Sequence, residues 1–369
     1  EFQLFRLRNS NSGLKLTIMV TERRVSHIKT RDILELANCS SEIPQTGFGV
    51  RHGQVALSYV GLVNFGFSSF SLSIALVGMA DTTLSSGPVL DYTLVDKGLI
   101  SGMFPFGLML GMIPAGYLIS SYNSMRLMST VSGIGTGVLQ VLFPLAAVHC
   151  GFTAACILRV LVGMTQSVGN SGPYAHLSRW VARQEQDKFS FVWGGGDMGC
   201  VAILAISGVL ISHGGGWPSI FYVSGALSSV WGIICLFWGY ESPGTHPTIS
   251  SVEKDFLKNN TRIERKASIK WKAMFTSVPV WALMIVHSCS HWTSVTLSAL
   301  LPTFFYNTTN ISVEIIGYLT AGIYLCQFAA SIGFAFLADK LMGHVSANFS
   351  RKFWNTIGMC GGAITLFLL

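Results

Sequence analysis

The sequence predicts an all-α integral membrane protein, and three observations support this fold class. Half of the 369 residues are hydrophobic, only 11% are charged and the mean hydropathy is +0.51, whereas about a quarter of the residues in a soluble domain are charged. Apolar runs of about 20 residues, long enough to cross a bilayer as a helix, recur from residue 54 onward. The charged residues lie mostly between these runs. We therefore expect a polytopic bundle of transmembrane helices.

Residues 1–53 are predicted to form a cytoplasmic N-terminal arm. They are polar and basic and contain no early apolar core of the kind found in a cleavable signal peptide. The chain opens with "EFQLF", and its first methionine is Met19. One interpretation is that residues 1–18 do not belong to the native protein.

The apolar runs predict eight complete spans and the beginning of a ninth. The ninth run starts near Phe353 and is still apolar at Leu369, in "GGAITLFLL", so we expect a chain cut within a longer protein. The eight complete runs are residues 54–80, 98–119, 126–148, 151–173, 190–211, 217–240, 279–304 and 314–337.

The distribution of basic residues predicts the orientation of these spans. With the N-terminus in the cytoplasm, 22 of the 24 Lys and Arg residues fall on the inner side, as the positive-inside rule requires. Lys97 is then the only basic residue outside, and Arg159 the only one deep inside a span. The net charge of +7 is thus a topology signal, and it gives no support to nucleic-acid binding.

The segment 241–278 is predicted to be a cytoplasmic linker. Ser250 and Glu253 have the spacing of a capping box, which starts a helix, and "IKWKAMF" alternates basic and apolar residues as an interfacial segment does. The linker separates a six-helix half, residues 54–240, from an incomplete second half, residues 279–369. Two halves joined in this way are typical of the major facilitator plan.

Four stretches carry a more specific resemblance: "FGFSSFSLSIALVGMAD", "LRVLVGMTQ", "GGWPSIFYVSGALSSVWGIICLFWGYESPGTHPTIS" and "LPTFFYN". Together with "GFGVRHGQ" they resemble the anion:cation symporter family of the major facilitator superfamily, and in particular its insect inorganic phosphate cotransporters. The resemblance implies a twelve-helix fold of which about nine helices are present. It also implies a monomeric transporter with no enzymatic activity and no cofactor, which moves a small anion together with Na⁺ or H⁺.

The residues that depart from the family pattern restrict the kinds of anion that we expect as substrate. Arg159 matches the family arginine of the fourth helix, which contacts the substrate anion in the organic-anion branch. Ser69, Ser101 and Gln166 stand where the vesicular glutamate branch has an arginine, a histidine and a glutamate. The resemblance therefore argues against glutamate as the cargo. Of the motif "PPLERS" after the fourth helix only Glu185 is kept.

Arg159 is the first candidate for contact with an anion. Its guanidinium offers a planar fork of donors that fits phosphate or carboxylate, and a charge inside a membrane usually lines a pathway. The alternative is a fixed pair with an acid on a neighbouring helix. The predicted substrate-binding residues are Arg159, Gln166, Ser69 and Ser101.

Three further residues are candidates for ion coupling. Asp197 is the only acid in the interior of a predicted span, since Glu314 stands at the first residue of its span. Asp197 could carry a proton, bind Na⁺, neutralise Arg159, or simply lie at a helix end in water. His287 and His291 are four residues apart and share one helical face, and histidine can carry a proton near neutral pH. Hydrogen-bonded core histidines are the alternative. The eight cysteines lie mostly in apolar runs without paired spacing, so no metal site is expected.

The function expected from the sequence is secondary active symport of inorganic phosphate with sodium by alternating access. A proton-coupled organic-anion transporter of vesicles or lysosomes is the alternative within the family, and a non-transporting membrane scaffold is the alternative from another class. The expected location is a plasma membrane or a vesicular or lysosomal membrane, with the lipid bilayer and a small anion as the only partners.

Overall fold

The computed structural model describes residues 2–8, 15–21, 48–79, 87–122, 125–182, 185–186, 188–261, 271–309, 311–342 and 347–368. Two compact units are present, Glu1–Gly49 and Val50–Leu369. In the first, strands β1 (Phe2–Arg8) and β2 (Lys15–Thr21) form an antiparallel hairpin. This hairpin was not predicted from the sequence; it overlaps residues 1–18, the segment interpreted as foreign to the native protein, and extends beyond it to Thr21.

All the regular secondary structure among the described residues of the second unit is helical. Its first six long helices are α1 to α6, two short linker helices are α7 and α8, and three more long helices follow. Their bounds are α1 Val50–Gly78, α2 Leu94–Tyr122, α3 Met125–His149, α4 Gly151–Trp180, α5 Gly195–His213, α6 Pro218–Trp238, α7 Ser251–Asn260, α8 Trp271–Phe275, α9 Val278–Thr308, α10 Val313–Met342 and α11 Ala347–Leu368.

The predicted spans correspond one to one with these long helices. Within the described part of the chain, seven helices are long and apolar enough to cross a membrane: α1 to α6, with α5 extended back to Phe191, and α10. The predicted seventh span is the 31-residue helix α9, which is not among those seven. The predicted ninth run is part of α11. The all-α membrane bundle expected from the sequence is confirmed.

The first six helices pack in pairs, α2 on α4, α3 on α6 and α1 on α5. Glycines lie at each crossing, so that backbones meet directly. A Cβ on Gly107 of α2 would overlap the carbonyl of Val160 in α4, and one on Gly66 of α1 would overlap the carbonyl of Gly196 in α5. Small residues at helix crossings are the usual means of close packing in membranes.

The linker helix α7 docks on the end of this bundle where α1 begins. Ser250 caps α7 and accepts a hydrogen bond from the Glu253 amide (3.2 Å), which is one half of the predicted capping box and confirms the helix start that it predicts. The buried Glu253 carboxylate in turn accepts hydrogen bonds from the amides of Val50 (3.3 Å) and Arg51 (3.1 Å) at the start of α1. An acidic side chain is stabilising at a helix N-terminus. The linker is therefore fastened to the first six helices.

A second junction joins the C-terminal half of α5 to the beginning of α10. A Cβ on Gly208 would lie 2.7 Å from the Cα of Glu314, and one on Gly317 would lie 2.8 Å from the carbonyl of Leu204. The carboxylate of Glu314 also lies 3.3 Å from Nδ1 of His213, the last residue of α5. The helices before and after the linker thus meet at a close crossing.

Candidate functional site

Arg159 is buried in the middle of the bundle, as the sequence analysis expected. It lies in α4, and only 2% of its surface is exposed. The guanidinium carbon is 5.3 Å from the ring centre of Phe104 in α2 and 6.0 Å from that of Phe143 in α3. Aromatic faces attract a cation at this range, so the two rings hold the guanidinium without neutralising its charge.

The hydrogen-bonding capacity of this guanidinium is largely unused. Its Nε and Nη1 atoms are buried and have no hydrogen-bond partner, and among the described residues no carboxylate forms an ion pair with it. A buried charge without a counter-charge is strongly unfavourable. The predicted alternative of a fixed ion pair is therefore not found, and an anion is the group that this side chain lacks.

Asp197 lies apart from Arg159. It is half-buried in the first turn of α5, after the 3₁₀ turn Ser190–Gly194. Neither an ion pair nor a hydrogen bond joins its carboxylate to any described residue. No direct ion pair joins Asp197 to Arg159 among the described residues, so the neutralisation of Arg159 by Asp197 stays a prediction. Glycines near Asp197 admit another helix, since a Cβ on Gly199 would overlap the carbonyl of Val63.

Gln166 and Ser69, two predicted substrate-binding residues, do not contact Arg159. Gln166 is buried on α4, and its Nε2 has no hydrogen-bond partner. Its spacing of seven residues from Arg159 puts both on one face of the helix. The Ser69 hydroxyl donates to the carbonyl of Phe65 within its own helix (2.7 Å). Gln166 is thus a second buried donor that lacks a partner, whereas Ser69 is satisfied locally.

The other predicted residues meet in a separate cavity. Ser101 of α2 and His287 and His291 of α9 line a cavity of about 780 Å³, to which Lys97 also contributes. The two imidazole rings stack with centroids 6.1 Å apart, which confirms that they share one helical face. Arg159 does not line this cavity. The sequence-predicted residues therefore divide between the buried site around Arg159 and the cavity between α2 and α9.

A buried polar cluster inside the first six helices was missed by the sequence analysis. Ser228 donates to Asn64 Oδ1 (2.8 Å) and lies 3.2 Å from the Ser68 hydroxyl, and Gln140 Nε2 donates to the Ser68 carbonyl (3.3 Å). These side chains come from α1, α3 and α6. Polar residues recurring in "FGFSSFSLS" and "VSGALSS" were the available signal. The cluster fixes the three helices around the arginine site.

Across the part of the chain that the structure describes, no group of three or more His, Cys, Asp or Glu side chains lies close enough to hold a metal ion.

Comparison with known proteins agrees with this architecture. Residues 58–369 match the family model of the Major Facilitator Superfamily. The chain is 27% identical to a Drosophila melanogaster protein named as an inorganic phosphate cotransporter, over 93% of this chain and 70% of that protein. It is 28% identical to sialin of Ovis aries, over 86% and 69%.

A solved structure shows the same fold. The D-xylose-proton symporter superposes with a TM-score of 0.53 at 14% identity, over 78% of this chain and 68% of that chain. Because seven helices among the described residues are long and apolar enough to cross a membrane, the protein is a multi-pass integral membrane protein. The chain belongs to the Major Facilitator Superfamily, and its relatives group it with the anion:cation symporters.

Proposed function

We propose that this protein transports a small anion by secondary active transport, with inorganic phosphate as the cargo and sodium as the coupled ion. The observation that carries the proposal is the buried guanidinium of Arg159, whose Nε and Nη1 have no partner. Charge-assisted hydrogen bonds from a guanidinium fork to a phosphate oxygen are among the strongest available to a side chain. The names of several relatives, phosphate cotransporters among them, support the choice of cargo.

The proposed mechanism is alternating access, in which the helices before and after the linker rock about the anion. Gln166 lies two helical turns from Arg159 on the same face of α4 and supplies a second unused donor. A bound phosphate would satisfy both. Because Asp197 has no described partner, it is available to bind the coupled cation on α5. Coupling then arises from two sites on neighbouring helices rather than from competition for one arginine.

One observation favours a second candidate, a proton-coupled organic-anion transporter of vesicles or lysosomes. His287 and His291 line the large cavity beside α2, and histidine gains a proton in the pH range of acidic compartments. Under this function the histidines carry the coupled proton. A non-transporting scaffold is the remaining alternative, and it is distinguished by the absence of any uptake.

The test is uptake of radiolabelled phosphate into proteoliposomes, with sodium and pH gradients imposed separately. We expect accumulation with the sodium gradient, and a loss of tenfold or more in Arg159→Lys, because lysine keeps the charge but not the planar fork. Arg126→Lys is the matched control, since Arg126 makes a carbonyl contact at the start of α3 and is expected to keep its uptake. Accumulation driven only by the pH gradient would favour the second candidate, and near-normal uptake by Arg159→Lys would contradict the role of the fork.

A further inference from the structure

The buried polar cluster of α1, α3 and α6 consists of neutral side chains that carry oxygen. Its members are Asn64, Ser68, Gln140, Ser224 and Ser228. Asn64 is 7% exposed and the other four have no exposed surface. Polar side chains in the interior of a membrane-spanning bundle are costly and usually serve a function. The cluster is therefore a candidate binding site as well as a contact between helices.

The hydrogen bonds within the cluster leave acceptor oxygens unused. Ser228 gives its only proton to Asn64 Oδ1 (2.8 Å), so the Ser68 hydroxyl, 3.2 Å away, can meet Ser228 only as a donor. Gln140 uses Nε2 to bind the Ser68 carbonyl (3.3 Å), and its buried Oε1 has no hydrogen-bond partner among the described residues. A buried carbonyl oxygen without a donor is unfavourable. A cation is a group that would satisfy it.

The spacing of the hydroxyl oxygens matches the ligand shell of Na⁺. The Ser68 oxygen lies 3.2 Å from that of Ser228 and 3.5 Å from that of Ser224. Ligands about 2.4 Å from an octahedral ion, as around Ca²⁺ and the similarly sized Na⁺, are about 3.4 Å apart. The larger K⁺ needs a wider spacing. Ca²⁺ and Mg²⁺ are normally held by carboxylates, and none of the five cluster residues carries one.

Arg159 controls the charge near this cluster. Gln140 lies three residues before Phe143 on α3, and the ring centre of Phe143 is 6.0 Å from the guanidinium carbon. Three residues span about 4.5 Å along a helix, so a cation beside Gln140 would lie close to the guanidinium. Like charges repel strongly in the low dielectric of a protein interior, and an anion on Arg159 would cancel this repulsion. Each ion should therefore strengthen the binding of the other.

We propose that the polar cluster binds one sodium ion and that an anion on Arg159 makes this binding favourable. The ligands are the side-chain oxygens of the five cluster residues. The site is separate from Asp197, because α5 contributes no residue to the cluster. The choice of sodium and its link to the anion rest on the proposed function, and the site supplies a direct route for the coupling of the two ions.

The first test measures binding of radiolabelled sodium to the protein in phosphatidylcholine nanodiscs by scintillation proximity, with choline as the background cation. We expect saturating phosphate to increase sodium affinity about tenfold. Unlabelled Na⁺ should displace the label and K⁺ should not. Ser228→Ala and Ser224→Ala should each lose the phosphate-dependent binding. Ser229→Ala is the matched control, because that hydroxyl donates to the Gly225 carbonyl within its own helix (2.9 Å).

The second test separates the sodium site from the identity of the cargo. Arg159→Met removes the repelling charge, so this variant should bind sodium without phosphate. Adding Ser228→Ala to Arg159→Met should abolish that binding, whichever anion the protein transports. Circular dichroism and size-exclusion chromatography establish that each variant is folded. Sodium binding that depends on Ser228, found together with failed phosphate uptake, would contradict phosphate as the cargo and keep the site.

Three results would overturn the proposal. If both serine variants bind sodium as the wild type does while Asp197→Asn binds none, the cation site is on α5, and the proposed function stands without this one. If K⁺ displaces the label as well as Na⁺ does, the oxygen spacing does not select the ion. If neither phosphate nor Arg159→Met produces sodium binding that depends on Ser228, the cluster only holds the helices together.

Discussion

Two buried arginines, Arg51 and Arg159, have almost the same exposure and opposite surroundings. Arg51 is 3% exposed at the start of α1, and Arg159 is 2% exposed within α4. Each leaves Nε and Nη1 without a hydrogen-bond partner, and each lies 5.3 Å from an aromatic ring centre. Arg51, however, places Nη2 3.2 Å from the buried carboxylate of Glu185, whereas Arg159 pairs with no described carboxylate.

This contrast separates an arginine that is paired within the fold from one that has no counter-charge among the described residues. Around Arg51 the charges are balanced within the fold: Glu185 pairs with the guanidinium, Phe256 of α7 lies over it, and Glu253 accepts a hydrogen bond from its amide. Around Arg159 the rings of Phe104 and Phe143 lie close to the guanidinium, and no described carboxylate pairs with it. Burial alone thus does not distinguish the two arginines, and the counter-charge does.

The largest effect is expected from Arg51→Met. Removing one partner of a buried pair leaves the Glu185 carboxylate uncompensated, which typically lowers the free energy of unfolding by about 3–5 kcal/mol. Denaturant unfolding in detergent measures the change. The double variant Arg51→Met, Glu185→Gln should recover much of the loss. If Arg51→Met lowers the free energy of unfolding by less than about 1 kcal/mol, the comparison fails, because the Arg51–Glu185 ion pair then contributes no more than an exposed ion pair.

The next effect is expected from Gly107→Ala. A Cβ at this position would overlap the carbonyl of Val160, the residue that follows Arg159 in α4, and forcing a methyl group into a close-packed contact typically destabilises by about 1–3 kcal/mol. Since α4 must shift, we also expect weaker phosphate binding. Gly98→Ala on the same helix is the control, because nothing lies within 4 Å of its Cβ position. Equal behaviour of the two variants would contradict the close contact.

A smaller effect is expected from Ser250→Ala. Loss of the N-cap of α7 typically lowers helix stability by about 1 kcal/mol. The amide of Glu253 donates to the Ser250 hydroxyl, and the carboxylate of Glu253 accepts hydrogen bonds from the first amides of α1. Hydrogen exchange of residues 251–260 should therefore increase. Ser251→Ala is the matched control, since that residue is exposed and its hydroxyl forms no hydrogen bond with a described residue. Unchanged exchange in Ser250→Ala would show that docking alone holds α7.

Arg159→Met is expected to leave the free energy of unfolding no lower than in the wild type. Arg159 forms no ion pair with a described carboxylate, so the substitution takes no partner away from one. It also removes a buried charge that the fold does not neutralise. Phosphate binding should nevertheless be lost. Unfolding in detergent, compared directly with Arg51→Met, measures the contrast. A destabilisation as large as that of Arg51→Met would mean that Arg159 is structural and that the two arginines are alike.

The smallest effect concerns pH and His246 of the linker. Partial burial lowers the pKa of this imidazole below 6.5, although Glu253 acts to raise it; its ring packs 4.3 Å from Tyr240 and 6.0 Å from Trp180. Because the unfolded linker binds a proton more readily, stability at this site falls as the pH drops below 6.5. Hydrogen exchange of α7, expressed relative to the intrinsic chemical rate at each pH, should rise slightly as the pH falls from 7.5 to 5.5, and His246→Gln should reduce the rise. An identical rise in the variant would assign it to another group.

Much of the fold could be predicted from the sequence, because it depends on local patterns. Apolar length placed the spans, and the spacing of Ser250 and Glu253 placed the linker helix. The burial of Arg159 followed from its position in an apolar run. Each of these features requires only residues that are close in the sequence.

The missed features depend on which helices become neighbours. Arg51 was assigned to a polar arm, yet Glu185 and Phe256 enclose it from more than a hundred residues away. Pairing with Arg159 was one of several roles left open for Asp197, because depth along a helix can be estimated from sequence but the direction across the bundle cannot. The separation of Ser101 and His287 from Arg159 has the same cause, since the cavity forms between helices on opposite sides of the linker.

The glycine contacts between α2 and α4 also fix the position of Arg159 along the axis of the bundle. Added Cβ atoms on Gly107 and Gly163 would overlap the carbonyls of Val160 and Phe104, and one on Gly111 would lie 2.9 Å from the Cα of Met164. Three such contacts along one crossing allow a single vertical register between the helices. The depth of the guanidinium in the bundle is thus set by contacts between these two helices. A thinner or thicker bilayer can tilt the pair as a whole, but it cannot slide Arg159 past the ring of Phe104.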